Sequence, residues 1–100
     1  RNMNVKELQD FIKNSILKTL GENGMSVEEL DLNADTQIFG EDSVVDSLDL
    51  VAIIIAIEER VQELTGKDIT VINEESIVSG ESPFESINSL ANLVFSRINE

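Results

Sequence analysis

The stretch Leu50 to Ile57, LVAIIIAI, constrains this chain more than any other. Eight apolar residues in a row must be buried in large part, and a run this β-branched fits a buried strand as well as a helix. The residues that follow decide between the two. EERVQEL continues to Thr65-Gly66 without a turn signal, so the pattern runs for about 18 residues from Ser47, which is helix length rather than strand length. Leu50, Ile54, Ile57, Val61 and Leu64 then share one stripe, and a helix over 47–64 is predicted, with Gly66 near its C-terminal end. The apolar run is far shorter than the roughly 20 residues a membrane helix needs. No membrane insertion is expected.

The rest of the chain supplies partners for that helix. Asn4 and Glu7 have the spacing of a capping box, and Val5, Leu8, Ile12 and Ile16 recur at helical intervals up to Gly21, which predicts a first helix over 5–20. From Gly21 to Asp46, Gly, Asn, Asp and Ser alternate with the isolated apolar residues Met25, Val27, Leu30, Leu32, Ile38 and Phe39. That is a long loop pinned to the core at intervals, with a helical turn at 26–29. Residues 73–78 suit one short helix. Ser82-Pro83-Phe84-Glu85 reads as a helix start, with Ser as cap, Pro first and Glu third, and Phe84, Ile87, Ala91, Val94 and Ile98 form its stripe. The expected architecture is all-α: a small bundle of three main helices and one short third helix, with a long loop between the first two. Residues 1–3 are set aside as a non-native remnant or a disordered end, ahead of a single domain at 4–100.

With no Cys and no His in 100 residues, neither disulfides nor Cys/His metal sites can support so small a core. The absence of Cys fits a reducing, cytoplasmic setting. Twenty Asp and Glu against seven Lys and Arg give a formal net charge of −13, which repels phosphate backbones and anionic lipid. Nucleic acid is therefore excluded as a partner, basic proteins or divalent cations are favoured, and a monomer is expected.

GEDSVVDSLDLV, residues 40–51, holds two Asp-Ser pairs just before the apolar helix. A serine that acts as a nucleophile by itself needs a base, usually His, and the chain has none. No spacing places a carboxylate pair for acid–base work either, so an autonomous enzyme is the least supported class. The structural reading of Asp46-Ser47 is a helix cap: either side chain satisfies free backbone N–H groups, and Asp49 complements the helix dipole.

Asp46-Ser47-Leu48-Asp49, followed by the apolar run and Glu58-Glu59, resembles the DSLD motif and second helix of acyl carrier proteins. The order of helix, long loop, DSL-headed helix, short third helix and a last helix opened by Ser82-Pro83 is similar over residues 4–98. The resemblance implies a phosphopantetheine-binding carrier domain, a four-helix bundle that is not itself an enzyme. It implies 4′-phosphopantetheine attached to Ser47, between Asp46 and Leu48, by a separate phosphopantetheinyl transferase using coenzyme A. It also implies acyl- or aminoacyl-loading and processing enzymes as partners, in fatty acid, polyketide or specialised lipid synthesis in the cytoplasm. Ser47 then needs no His, because the transferase and its Mg²⁺ supply base and charge stabilisation. No Cys is needed, because the arm brings the thiol. The phosphodiester would lie where a helix N-terminus favours an anion, and Ser43 is read as loop. Val44 stands where many carriers have Gly, and Ala52 where fatty-acid carriers often have Glu. Both departures point to a dedicated acyl, aminoacyl or peptidyl route.

On a helical wheel Leu50, Ile54, Ile57 and Val61 cluster on one side, and Leu48, Ala52, Ile55 and Glu59 on roughly the other. One small core cannot take both sides. Leu48, Val51, Ala52 and Ile55 are therefore read as an apolar docking strip, flanked by Asp49, Glu58 and Glu59, which steer basic partner surfaces toward Ser47. The competing expectation is that the 21–46 loop folds over the strip and buries it. An acyl cargo would insert among Ile54, Ile57, Val61 and Phe84 if the interior opens, these residues being ordinary core otherwise. Two further readings come from other classes. Asp31, Asn33 and Asp35 take positions 1, 3 and 5 of a calcium-binding EF-hand loop and Ile38 position 8, but Thr36 replaces its Gly and Asp42 its terminal Glu. The other is an acidic helical interaction module of the same fold that is never modified.

Overall fold

Asn4 opens the first helix as its spacing to Glu7 predicts: its side chain accepts from the Glu7 N–H at 2.8 Å, and the Glu7 carboxylate accepts from the Asn4 N–H at 3.5 Å. A computed structural model describes residues 2–28, 30–72 and 85–100. In it α1 spans Val5–Glu22 and buries Leu8, Ile12, Ile16 and Leu20, a strict i, i+4 row. Gly24, at φ 85°, turns the chain out of α1 in the left-handed region that a side chain would disfavour. The second helix, α2, spans Ser47–Thr65 and ends at Gly66, φ 75°, whose N–H returns to the Gln62 carbonyl.

The last helix, α3, spans Ile87–Ile98 and starts later than its sequence signature predicts. Its cap is Ser86, whose hydroxyl accepts from the Ser89 N–H at 3.0 Å. The reason is tertiary. Ser86 is extended and forms a single antiparallel bridge with Gln37 in the long loop. Around it Ile38 N–H donates to the Glu85 carbonyl at 2.9 Å, Ile87 N–H to Thr36 at 3.1 Å and Asn88 N–H to Ala34 at 2.8 Å. The first N–H groups of a helix have no intrahelical acceptor, and here the loop supplies acceptors for two of them. Ser82, Pro83, Phe84 and the short helix expected over 73–78 lie outside the described residues.

Among the described residues the protein is thus three helices, with no strand beyond that single bridge. The first helix packs against both others, most extensively against α3, while α2 and α3 approach each other least. Leu50, Ile53, Ile54, Ile57 and Val61 from α2 meet Ile87, Leu90, Ala91, Val94 and Ile98 from α3 in one core cluster around α1. Leu32, Ile38, Val45 and Val71 close it from the connections. The radius of gyration, 13.0 Å, is that of a compact domain of this length.

Three details depart from the pattern. Met3, grouped with residues 1–3 outside the domain, is buried in the core cluster. Of the residues expected to pin the loop, Leu32 and Ile38 are buried in the core and Val27 and Leu30 pack against it, while Met25 and Phe39 are each about half exposed. Ile53 joins the buried face of α2, while Leu64 is only partly buried. No helix among the described residues is long and apolar enough to cross a membrane.

Candidate functional site

The two serines of the GEDSVVDSLDLV stretch are in different states. Ser43 is half-buried, and its hydroxyl donates to the Val45 carbonyl at 2.6 Å and accepts from the Val45 N–H at 3.1 Å. Ser47 is the first residue of α2 and exposed, and its hydroxyl has no hydrogen-bond partner among the described residues. The capping role belongs to Asp46, whose carboxylate accepts from the Asp49 N–H at 2.8 Å. Because the intrahelical ladder starts only at Leu50 N–H to the Asp46 carbonyl, the N–H groups of Ser47 and Leu48 have no acceptor within the helix. They add to the positive end of the dipole.

The sequence that carries this end has charges of one sign only. Between Lys18 and Arg60 the sequence contains eleven Asp and Glu and no Lys or Arg. Asp49 is also a structural tie, since its Oδ2 accepts from Asn23 Nδ2 at 3.1 Å and links the C-cap of α1 to the first turn of α2. Chemically, the head of α2 presents a solvent-facing hydroxyl to which no side chain among the described residues is hydrogen-bonded.

The outward face of α2 is open. Leu48 is 82% exposed, Val51 48% and Ile55 49%, with Ala52 and Glu59 also exposed, so the described parts of the 21–46 loop do not cover the strip. Val51 and Ile55 follow Ser47 at i+4 and i+8, about 6 and 12 Å along the same side of the helix. Glu58 departs from its expected part. It is half-buried, and its carboxylate accepts from the Val71 N–H at 2.9 Å, so it is a tether as well as a surface charge. Two surface grooves adjoin the strip: one of about 310 Å³ between α1 and α2, with Phe11, Thr19, Ala52, Ile53 and Ala56 among its walls, and an acidic one of about 510 Å³ with Glu58, Glu59, Glu63 and Asp68.

Ile54, Ile57 and Val61 are closed into the core, and Phe84 lies outside the described residues. In the loop, Asn33 turns its amide oxygen onto the Asp35 N–H at 2.8 Å and its own N–H onto Thr36 Oγ1 at 2.9 Å. Among the described residues no group of three or more Asp, Glu, His or Cys is arranged to hold a metal.

No protein-family model, curated protein or solved structure matches this chain. The site rests on its own geometry. That geometry brings Asp46, Ser47, Leu48, Asp49, Val51, Ala52, Ile55 and Glu59 together at one end and along one side of α2, and turns Glu58 partly inward. Asn23 is the site residue that sequence patterns miss. The Gly residues around it signal a helix end, but no local signal connects it to a carboxylate 26 positions away.

Proposed function

We propose that this protein is a carrier of acyl-carrier type, a four-helix domain that holds an acyl or aminoacyl group on 4′-phosphopantetheine attached to Ser47. The observation that carries the reading is the exposed, unbonded Ser47 hydroxyl beside a cap made by Asp46. Were Ser47 the cap, derivatisation would cost the helix its N-terminal hydrogen bond; with Asp46 in that role it does not. The surroundings fit the group: Ser47 and Leu48 offer open N–H groups to a phosphodiester, and the flanking carboxylates of Asp46 and Asp49 are each engaged by a donor. Bound, the arm supplies the thiol on which cargo rides as a thioester. The chain's own residues do the rest. Leu48, Val51, Ala52 and Ile55 offer partners an apolar strip, and Asp49 and Glu59 steer basic surfaces to it. Ile54, Ile57 and Val61 are buried in the core, so an acyl chain reaches them only if the core opens.

The transferase, loading enzymes and processing enzymes are the partners this reading requires, in a cytoplasmic synthesis of fatty acid, polyketide or specialised lipid type. Val44 and Ala52 favour a dedicated route over housekeeping fatty-acid synthesis. The exposed strip equally suits an unmodified interaction module. One measurement separates the two. The protein is incubated with a broad-specificity phosphopantetheinyl transferase, Mg²⁺ and coenzyme A, and its intact mass is read. A phosphopantetheine-sized gain that persists in Ser43→Ala and disappears in Ser47→Ala is expected. No gain with several transferases overturns the carrier reading and leaves the module.

A further inference from the structure

The helices α2 and α3 touch each other least of the three pairs, yet one residue between them is held by both. Val71 is fully buried. Its N–H donates to Glu58 Oε2 of α2 at 2.9 Å, and its carbonyl accepts from Arg97 Nη2 of α3 at 3.5 Å. Lys67, in the same connection, anchors separately: its ammonium donates to the Ile98 carbonyl at 2.5 Å and its N–H to Thr65 Oγ1 at 3.1 Å. The 66–72 connection is thus clamped at two points, and only the Val71 point ties in α2's outward side.

Glu58 is half-buried, and the face it keeps toward solvent looks into the acidic groove beside the strip. We propose that Glu58 is a latch that couples partner engagement on α2 to the 66–72 connection. A basic side chain of a docked partner offers Glu58 a charged donor, and one that draws Oε2 to itself competes with the neutral N–H of Val71, which a carboxylate bonds less strongly. Turning to meet it frees Val71 and slackens the link through Val71 to α3. By linkage the effect is reciprocal: whatever factor a bound cation adds to the opening of Val71, prior opening adds to the affinity for that cation. The proposal rests on the reading that basic partners engage α2, but not on modification of Ser47.

The test is NMR-detected hydrogen exchange at the Val71 amide in the full chain, with the Lys67 amide as internal control. Glu58→Ala removes the acceptor and is expected to speed Val71 exchange at least tenfold while leaving Lys67 unchanged. Glu58→Gln keeps a neutral acceptor and should speed it less than threefold, which also covers the case of Glu58→Ala failing to fold. Tetralysine, as probe for a basic partner, should speed Val71 exchange in the parent protein and not in Glu58→Gln, and NaCl at matched ionic strength should not reproduce the effect. Val71 exchange that is unchanged in Glu58→Ala, or that responds equally to NaCl and tetralysine, overturns the latch. Neither result depends on whether a transferase modifies Ser47.

Discussion

Ile54 and Ile55 are adjacent and chemically identical, yet one is 4% exposed and the other 49%. The helix turns 100° between them, so one faces the core while the other faces solvent. Residues of one chemistry therefore have two tasks on α2. On the inner face Leu50, Ile53, Ile54, Ile57 and Val61 hold the fold; on the outer face Leu48, Val51 and Ile55 contribute little to it. A small acidic chain that leaves three large apolar residues in water along one helix face has a surface suited to contact with another molecule.

That contrast can be broken from the inside first. Ile57→Ala, at a fully buried position, should cost about 2–5 kcal/mol of stability in denaturant unfolding, the range for large-to-small core changes. A loss under about 1 kcal/mol would mean the inner face is loosely packed. Next comes the head of the helix, where Asp46→Ala removes the cap and should cost about 1 kcal/mol. Ser47→Ala, beside it, should move the unfolding midpoint hardly at all, and a cost equal to that of Asp46→Ala would return the capping role to Ser47. On the outer face Ile55→Ala should cost less than about 1 kcal/mol and measurably weaken partner binding. If it costs as much as Ile57→Ala, the strip is core and docking lies elsewhere.

The smallest expected change in stability separates the two acids that end the strip. Glu59→Lys reverses an exposed charge and should alter stability by no more than about 0.5 kcal/mol. It should also slow transferase modification of Ser47 at low salt, with the difference fading as added salt screens the surface. Glu58→Lys reverses a charge that also holds Val71, so it should destabilise the protein as well. Equal stabilities for the two variants would dissolve the distinction between tether and steering charge.

Much of the fold was legible in the residues themselves, and the pattern of success has a physical origin. The first helix was expected over 5–20 and α2 over 47–64, and they run Val5–Glu22 and Ser47–Thr65. Their caps, Asn4 with Glu7, Asp46 with Asp49 and Gly66 with Gln62, all act within four residues, as do the apolar repeats that choose the buried faces. Ser47's place at the head of α2 was legible for the same reason. Its free hydroxyl was not, because Asp46 and Ser47 are equally good caps by residue type and only the folded geometry chose between them.

What escaped the sequence was decided between distant segments. The helix α3 runs from Ile87, and the loop at 34–38 pairs with the backbone at its start. Asn23 became part of the site by reaching Asp49, and Glu58 turned inward to reach Val71. The openness of the Leu48, Val51 and Ile55 strip depended on where the long loop went, and it went to the bridge with Ser86 instead. Helices and their buried stripes are encoded by contacts three and four residues apart, so the sequence alone determined them. Which loop pairs with which helix end, and so which apolar face is left open, is set by the tertiary packing of segments tens of residues apart, and no local window of sequence contains it.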